Sequence, residues 1–296
     1  MLTNQLIQVQ SRKTKGRKIM VKIIVDSGSD LTLEQAGQLG VEIVPLHIEH
    51  EGKTALDRVE MDPDTLYEKL ANSDQLPKTS QPSPAAFMTM YEKFPNDELL
   101  VLPIAKELSG TFQSANLAKS MSERDNIFVV DSQQVTLPLM VLILEAVAMR
   151  EKGWNARQIK EALEAMRGQV KVIAVVDTLD YLQKGGRLSK AAAIAGNFLK
   201  IKPLIGVQEG QVVVLSKARG KKSAIQEVRR LMAQDEVDLN TAIFGYTGQE
   251  GTEDLTSWTE EILDVYPFAN VYTQQIGAAI GTHVGPGAKA IAYRTK

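Results

Sequence analysis

The sequence predicts an α/β protein with two domains, and three observations support this prediction. The chain has 296 residues, about twice the roughly 150 residues expected of one domain. Short apolar, β-branched runs are repeatedly followed by a polar turn and a helical pattern, as in sheets whose strands alternate with helices. Hydrophobic residues make up 44% of the chain and charged residues 24%, which is ordinary for a globular protein with substantial cores. We expect an N-terminal, mostly parallel sheet with helices on both faces, and a C-terminal mixed sheet with helices.

The N-terminal segment, residues 1–19, is basic and contains no long apolar run. It therefore lacks the pattern of a secretory signal peptide. We expect a disordered leader or an artefact of an upstream start, with binding to an acidic surface as the alternative. A boundary at Gly168 then divides the rest into an N-terminal domain over 20–168 and a C-terminal domain over 169–296.

The first predicted strand, over 21–25, ends in a turn that contains Asp26 and Ser27. Ligands of open α/β sheets bind outside the carboxyl ends of the strands, so these two side chains are candidate site residues. Capping of the following helix by Ser29 or Asp30 is an equally good interpretation of the same turn.

A hydroxyl-rich stretch over 78–84 runs directly into a helical pattern that begins at Ala85. Serine or threonine before a helix caps its free N–H groups, Pro84 suits the first turn, and the macrodipole adds partial positive charge. The stretch has no histidine or carboxylate to activate a hydroxyl, so holding an anion is the simpler role. Simple capping by Ser80 or Ser83 is the alternative.

The remaining strands of the N-terminal domain are predicted over 41–48, 53–56, 99–104 and 127–130. After the third of these, Ser109 and Thr111 place more hydroxyls at the carboxyl edge of the sheet, and Gly110 lets backbone approach a ligand closely. The apolar run over 135–149 is shorter than the roughly 20 residues that span a bilayer, so it is predicted to be a buried core helix.

In the C-terminal domain, strands are predicted over 170–176, 204–207, 212–215, 241–247, 270–275 and 290–293, the second and third as a hairpin. Arg187 follows a glycine pair and precedes a helix of small residues. Arg187 and the basic cluster over 217–222 could bind phosphate or an acidic partner, with a solvated surface as the alternative. His283 lies in a glycine-rich turn, where its ring can reach a cleft or make a local backbone hydrogen bond.

Composition and motifs exclude several classes of function. The chain has three histidines and no cysteine, and the histidines lack a metal-binding spacing, so we expect neither a metal nor another cofactor. The net charge of −2 provides no general attraction to nucleic acid, and we expect membrane contact to be transient at most. The segment 277–289 does not match a phosphate-binding loop. Without cysteine or a secretory signal, we predict a cytoplasmic protein.

Six spaced stretches of the chain resemble the DegV family of bacterial fatty-acid-binding proteins, which includes the lipid-binding subunit of fatty acid kinase. They are Val25-Asp26-Ser27, Lys78-Thr79-Ser80-Gln81-Pro82-Ser83, Leu108-Ser109-Gly110-Thr111, Val130-Asp131-Ser132, Tyr181-Leu182 with Gly185-Gly186-Arg187, and Thr282-His283-Val284-Gly285-Pro286-Gly287. Together they cover residues 21 to about 293 in the family's order and leave out residues 1–19. Six motifs in order are much more specific than any one of them.

The resemblance implies that a long-chain, palmitate-like fatty acid is bound non-covalently in a tunnel near the domain junction. By the matching motifs, Thr79 and Ser109 would hold its carboxylate, with His283 close by. Further candidates for this end of the site are Asp26, Ser27, Ser80, Gly110, Thr111 and Thr282. The family also implies presentation of the carboxylate to a separate fatty acid kinase, to which ATP and magnesium would belong. Residues implied to dock this partner are Arg187, Arg219 and Lys222.

Simple energetics agree with a lipid ligand. Charge-assisted hydrogen bonds to a carboxylate are worth about 1.5–3 kcal/mol each. A chain of about 16 carbons offers a gross transfer free energy of about 12 kcal/mol before association entropy is subtracted. The tail should therefore dominate affinity, and the carboxylate should set orientation. Apolar candidates for the tunnel wall are Phe87, Phe112, Leu179, Leu182, Ile194, Phe198 and Ile276.

The alternative function is an acyl hydrolase with Ser109 as nucleophile and His283 as base. The sequence around Ser109 lacks the Gly-x-Ser-x-Gly elbow, and no carboxylate can be assigned to orient the histidine. We therefore favour a lipid-binding protein without catalysis of its own, while another amphipathic acid as the ligand stays open.

Overall fold

The computed structural model describes residues 20–72, 75–188 and 201–296. In the first half, the elements are β1 (Val21–Asp26), α1 (Leu33–Leu39), β2 (Val41–Val44), β3 (His47–His50), β4 (Lys53–Leu56), α2 (Pro63–Asn72), β5 (Lys78–Ser80), α3 (Pro84–Glu92), β6 (Glu98–Leu102), α4 (Thr111–Ser122), β7 (Ile127–Val129), α5 (Thr136–Glu151) and α6 (Ala156–Met166). In the second half, they are β8 (Val170–Val175), α7 (Asp180–Lys184), β9 (Ile201–Gln208), β10 (Gln211–Arg219), α8 (Lys221–Met232), β11 (Val237–Tyr246), α9 (Leu255–Leu263), β12 (Asn270–Gln275), α10 (Ala278–Val284) and β13 (Lys289–Thr295). The predicted leader over 1–19 and the tunnel candidates Ile194 and Phe198 lie outside the described residues.

The first sheet is parallel throughout and has the strand order β2-β1-β6-β7. Side chains alternate between its two faces, as the period of a strand requires. Ile23 and Leu100 point into the core shared with α5 and α6, whereas Ile24 and Leu99 point into the core shared with α3 and α4. The predicted parallel sheet with helices on both faces is therefore confirmed.

The predicted strand over 41–48 is wrong in one respect, because it is two strands in different sheets. β2 belongs to the parallel sheet, whereas β3 pairs with β4 and β5 in a small antiparallel sheet. Pro45 separates the two strands, and proline has no N–H to continue a ladder. The chain turns there, and the Leu46 N–H donates to Ser27 Oγ at 3.0 Å.

The hydroxyl-rich stretch over 78–84 also divides into two elements. Thr79 and Ser80 belong to strand β5, in which Thr79 pairs with Ile48. Ser83 caps α3, since its hydroxyl accepts from the Ala86 N–H at 3.2 Å. The capping interpretation thus describes Ser83, and Thr79 is positioned by a strand rather than by the start of a helix.

The second sheet is mixed, as predicted, with the order β10-β9-β8-β13-β11-β12. β9 and β10 form the predicted hairpin, and of the neighbouring pairs only β11 and β12 are parallel. One face of this sheet packs against α8 and α9, and the other faces α5 and the first half of the chain. We call these the outer and inner faces.

Rows of paired residues run across the second sheet and differ between its two faces. On the outer face, Ile173 pairs with Ile291 and Ile291 with Phe244. The adjacent residues of the same three strands point to the inner face, where Ala174 pairs with Ala290 and Ala290 with Gly245. We call the residues Ala174, Ala290 and Gly245 the small-residue row. Since these side chains are short, the inner face leaves space above them.

Helix α5 connects the two halves of the core. It is the buried helix predicted from the apolar run, and residues such as Leu137, Leu142 and Ile143 are fully buried. It belongs to the first half of the chain, yet it packs against β8, β11 and β13. The turn around Gly168 separates the strands of the two halves, while the hydrophobic core continues across it.

Candidate functional site: a cavity between the two halves of the chain

A cavity of about 970 Å³, its open mouth included, lies between the inner face and the first half of the chain. Its wall is mostly apolar, with contributions from the loop before α5, from α10 and from the small-residue row. Thr136, Tyr246, Thr247 and Lys289 are polar residues at other points of the wall. A larger polar group, which we call the polar end, comprises Thr79, Ser80, Gln81, Ser109, Arg187 and His283. Such a cavity suits a molecule with a long apolar part and one polar group.

The closest polar contact at this end joins the two halves of the chain. Thr79 Oγ1 and His283 Nε2 share a hydrogen bond of 2.7 Å. His283 lies on α10, so the glycine-rich turn predicted around it is a short helix in the structure. Its ring packs against Gly185, where a Cβ atom would collide with Nδ1. Glycine at this position therefore allows the ring to lie beside α7.

His283 is neutral at physiological pH. Burial, together with the nearby positive charge of Arg187, lowers the pKa of His283 to about 4. A neutral ring that donates from Nε2 to Thr79 Oγ1 leaves the threonine hydroxyl hydrogen free for a ligand. His283 Nδ1 is buried and has no hydrogen-bond partner in the described part of the chain.

Ser109 supplies a second hydroxyl, held by the turn before α4. Ser109 Oγ shares a hydrogen bond of 2.8 Å with Thr111 Oγ1 and also accepts from the Thr111 N–H. Gln81 packs directly over Gly110, because a Cβ atom there would lie 2.7 Å from the Gln81 side chain. The turn thus carries Ser109 to the cavity, while Thr111 is fully buried behind it.

Arg187 brings positive charge to the polar end. Its side chain is half-buried, and it donates to the Leu108 carbonyl at 3.2 Å and to the Gly185 carbonyl at 2.6 Å. Both acceptors are neutral, so the guanidinium charge has no carboxylate partner among the described residues. An anion at this end of the cavity would be attracted to it.

Below the cavity, buried carboxylates join the start of α10 to the first half of the chain. Asp30 accepts from the Gly277 N–H at 2.8 Å and from Arg58 at 3.3 Å, and it also bonds to the Thr136 hydroxyl. Asp57 accepts from the Ala279 N–H at 3.3 Å. We call this group the carboxylate knot. It fixes the N-terminus of the helix that carries His283.

Burial raises the pKa of all three aspartates near this point. It raises the pKa of Asp57 to about 6 against the lowering effects of Ser27 and Arg58. It raises the pKa of Asp26 to about 7, although the N–H groups of Ile104 and Gly28 favour its charged form. For Asp30 the pKa is also raised by burial, and the Arg58 charge opposes this shift. The three carboxylates accept hydrogen bonds from other groups of the protein and lie beneath the cavity rather than in it.

The predicted site residues therefore fall into separate groups. Those that line the cavity are Thr79, Ser80, Ser109, Leu182, Arg187, Ile276 and His283. Asp26, Ser27, Gly110, Thr111 and Thr282 lie behind it and bond mainly to protein groups. Leu179 belongs to a neighbouring core cluster with Leu182. Arg219 and Lys222 are exposed at the start of α8 and do not reach the polar end.

Two tunnel candidates lie elsewhere in the fold. Phe87 is fully buried and Phe112 packs beside it, both in the core between α3, α4 and the first sheet. The prediction that they line the tunnel does not agree with this placement. The helices that carry these residues, α3 and α4, pack on the side of the parallel sheet away from the cavity. An apolar pattern alone does not show on which side of a sheet a helix packs.

Several cavity residues were not singled out from the sequence. Gln81, Leu137 and the small-residue row all line the cavity. Alternation along β8, β11 and β13 could have assigned the row to one face. The knot residues Asp57 and Arg58 have no comparable signal, because each also bonds to a backbone group more than two hundred residues away, at Ala279 and Gln275 respectively.

Other classes of site are absent from the described ranges. Residues 20–72, 75–188 and 201–296 contain no group of three or more histidine, cysteine or acidic side chains placed to bind a metal ion. None of the helices in these ranges combines the length and the apolar character that a bilayer crossing requires.

Comparisons with known proteins agree with this architecture. The model of the DegV family, described as uncharacterised proteins, matches residues 20–296. A DegV domain-containing protein of Deinococcus radiodurans is 36% identical over 278 residues, covering 92% of this chain and 97% of the relative. The structure of a DegV family protein from Thermus thermophilus, described as fatty acid binding, has a TM-score of 0.86 and 32% identity over 94% of this chain and 100% of that one. DegV from Bacillus subtilis, described as a fatty acid binding protein, has a TM-score of 0.82 and 30% identity with the same coverage.

Proposed function

This chain belongs to the DegV family, and on that premise we propose that it binds a long-chain fatty acid non-covalently. The observation that supports the proposal most directly is the cavity, whose wall is mostly apolar and which carries Thr79, Ser109 and His283 at its polar end. Burial of the acyl chain would supply most of the affinity, at about 0.8 kcal/mol for each methylene. The hydroxyls and Arg187 would receive the carboxylate.

In this proposal the neutral His283 acts on Thr79 and not as a base. With the ring proton on Nε2, the ring would donate to the threonine oxygen and leave the hydroxyl hydrogen for the carboxylate. Two hydroxyl donors and the Arg187 charge then provide charge-assisted hydrogen bonds, each worth about 1.5–3 kcal/mol. The carboxylate end would be held near the mouth and the tail would lie inside.

The same geometry argues against the acyl hydrolase. A serine nucleophile needs a base within hydrogen-bond reach and a group that orients the base. Ser109 Oγ bonds to Thr111, and His283 Nε2 bonds to Thr79. We therefore propose binding without catalysis by this chain.

The experiment that tests fatty-acid binding is mass spectrometry of an organic extract of the purified protein, with the intact complex weighed alongside. We expect a free fatty acid in a stoichiometric amount. A protein that contains no lipid and takes up no added fatty acid would contradict the proposal.

We further propose that the bound carboxylate is presented to a separate fatty acid kinase. Support comes from Arg219 and Lys222, two cations that are exposed on the surface. The kinase would bring ATP and magnesium, so this chain would need no cofactor. A substitution of Arg187 would not test docking alone, because this residue also lines the cavity and its loss could change fatty-acid binding.

The docking test compares Arg219→Glu and Lys222→Glu with Lys152→Glu, an exposed control on the α5 end. Each fatty-acid-loaded variant is mixed with a fatty acid kinase catalytic subunit and MgATP, and acyl phosphate is measured. We expect lower turnover for the first two variants and none of this loss for the control, with fatty-acid content unchanged. Equal turnover in all three would remove these residues from the docking surface.

A further inference from the structure

The small-residue row gives the cavity a direction. Ile205 pairs with Ala174, so the row continues from β9 across β8 and β13 to β11. Adjacent strands lie about 4.8 Å apart, so the distance from Ile205 to Gly245 is about 14 Å. A groove of this kind crosses the strands rather than following one of them.

The polar end lies over the β9 side of this row. Leu182 packs with Ile205 and Val212, and the bridge from Leu188 to Val212 brings the segment around Arg187 to the same edge. His283, which lines the cavity from α10, is also at this end. Gly245 therefore lies at the opposite end from the carboxylate-binding groups.

Helix α10 supports the same direction. Ile276, Ala279, Ile280 and His283 all line the cavity. Ala279 and His283 are about 6 Å apart along the axis at 1.5 Å per helical residue, and Ile276 precedes the N-cap Gly277. Ile276 is therefore far from the polar end, where His283 lies.

At the far end, Leu137 and Ile276 pack directly against Gly245. A Cβ atom built there would lie 2.5 Å from Leu137 Cδ1 and 3.1 Å from Ile276 Cδ1. The glycine thus occupies a point where two cavity-lining side chains meet the sheet, and no space for a further methyl group exists without moving one of them.

From these observations we propose that the acyl chain lies along the small-residue row and that Gly245, with Leu137 and Ile276, sets the longest chain that fits. The inference rests on the proposed fatty-acid binding and adds which residues select chain length. An added methyl at Gly245 pushes Leu137 or Ile276 into the cavity and shortens it, whereas truncation of Leu137 lengthens it.

The test uses a mixture of saturated fatty acids of increasing length, offered to the delipidated protein and analysed by native mass spectrometry. One misfitting methylene in a hydrophobic pocket changes binding by about 10–200-fold. For Gly245→Ala we therefore expect the longest acid bound by the wild type to lose about tenfold or more against shorter acids. Leu137→Ala should shift the preference toward longer acids.

Gly168→Ala is the matched control, because a Cβ atom at Gly168 meets nothing within 4 Å and this residue is remote from the cavity. It should keep the wild-type ranking. If folded Gly245→Ala and Leu137→Ala both keep that ranking, the inference is overturned while fatty-acid binding stands. If the wild type binds none of the acids, the proposed function itself fails.

Discussion

The two faces of the second sheet are made by neighbouring residues of the same strands, yet they differ in side-chain size. On the outer face, Ile173, Ile291 and Phe244 fill the space beneath α8 and α9, and Phe244 meets Trp258 edge to face at 5.7 Å. On the inner face, the small-residue row leaves a cavity. One sheet therefore provides a tightly packed core on one side and room for a ligand on the other.

The difference teaches where stability and binding reside. Large side chains on the outer face bury apolar area that stabilises the fold, at about 25 cal/mol for each Å². Short side chains on the inner face forgo that burial, so a bound apolar molecule would supply it instead. Variants of the outer face should change unfolding, and variants of the inner face and its polar end should change binding.

The largest effect is expected from a substitution that disrupts the packing of the outer face. Phe244→Ala removes a fully buried ring and leaves a cavity, so the free energy of unfolding should fall by about 3–5 kcal/mol. Chemical denaturation followed by circular dichroism measures this. The refolded variant should keep the fatty-acid ranking of the wild type, and a loss of that ranking with little change in stability would contradict the comparison.

The next effect comes from removing the ligand of the inner face. A ligand at about 100 times its Kd stabilises the native state by about 2.7 kcal/mol. Delipidated protein should therefore unfold at a lower temperature than loaded protein, as measured by calorimetry. The same increment should be found in Phe244→Ala, since the ligand touches the other face. Equal unfolding temperatures of the loaded and delipidated forms would show that the ligand does not stabilise the native state by binding at the inner face.

A smaller effect is expected at the polar end. Thr79→Val keeps the shape of the side chain but removes the hydroxyl, and fatty-acid affinity should fall by about 1–3 kcal/mol. Titration calorimetry compares this variant with Thr54→Val, an exposed threonine on β4 outside the cavity. Unchanged affinity in Thr79→Val would remove this hydroxyl from the site.

The smallest effect concerns the charge beside His283. The positive charge of Arg187 is the second cause, after burial, of the lowered pKa of His283. In Arg187→Gln the pKa of His283 should therefore rise from about 4, while burial keeps it below the ordinary 6.5. Because the pKa of His283 is lower in the folded chain, acidification from 6.5 toward 4 protonates this ring first in the unfolded chain and lowers the contribution of His283 to stability. This loss should be smaller in the variant.

Magnetic resonance titration of the histidine rings measures the shift directly. His47 and His50 are the other two histidines of the chain and serve as internal controls. An unchanged pKa at His283 in Arg187→Gln would mean that the arginine charge is screened from the ring.

Much of the fold follows from apolar runs and turn residues. The parallel sheet, the β9–β10 hairpin and the buried α5 were predicted because their patterns are local. The division at Pro45 was missed, since the apolar run continues through the proline and only the pairing of β3 shows the change of sheet.

The site was predicted in part, and the reason differs from residue to residue. Thr79, Ser109 and His283 belong to distinctive polar motifs, and all three reach the cavity. Phe87 was chosen for its size, yet it belongs to a core on the far side of the first sheet. Gly245 and Ala290 attracted no attention, because the role of a small residue in a cavity wall depends on how the strands pair and on what packs over them.

The carboxylate knot has a consequence for the order in which the site assembles. Asp30 and the Gly277 N–H that donates to it are 247 positions apart, and Thr79 and His283 are 204 apart. Contacts of such long range close late, after local elements have formed. On a ribosome, Thr79 would be made long before α10, so a nascent chain would carry an unfinished cavity until α10 emerged. The proposed lipid binding would then require α10, and truncation before residue 277 would abolish it.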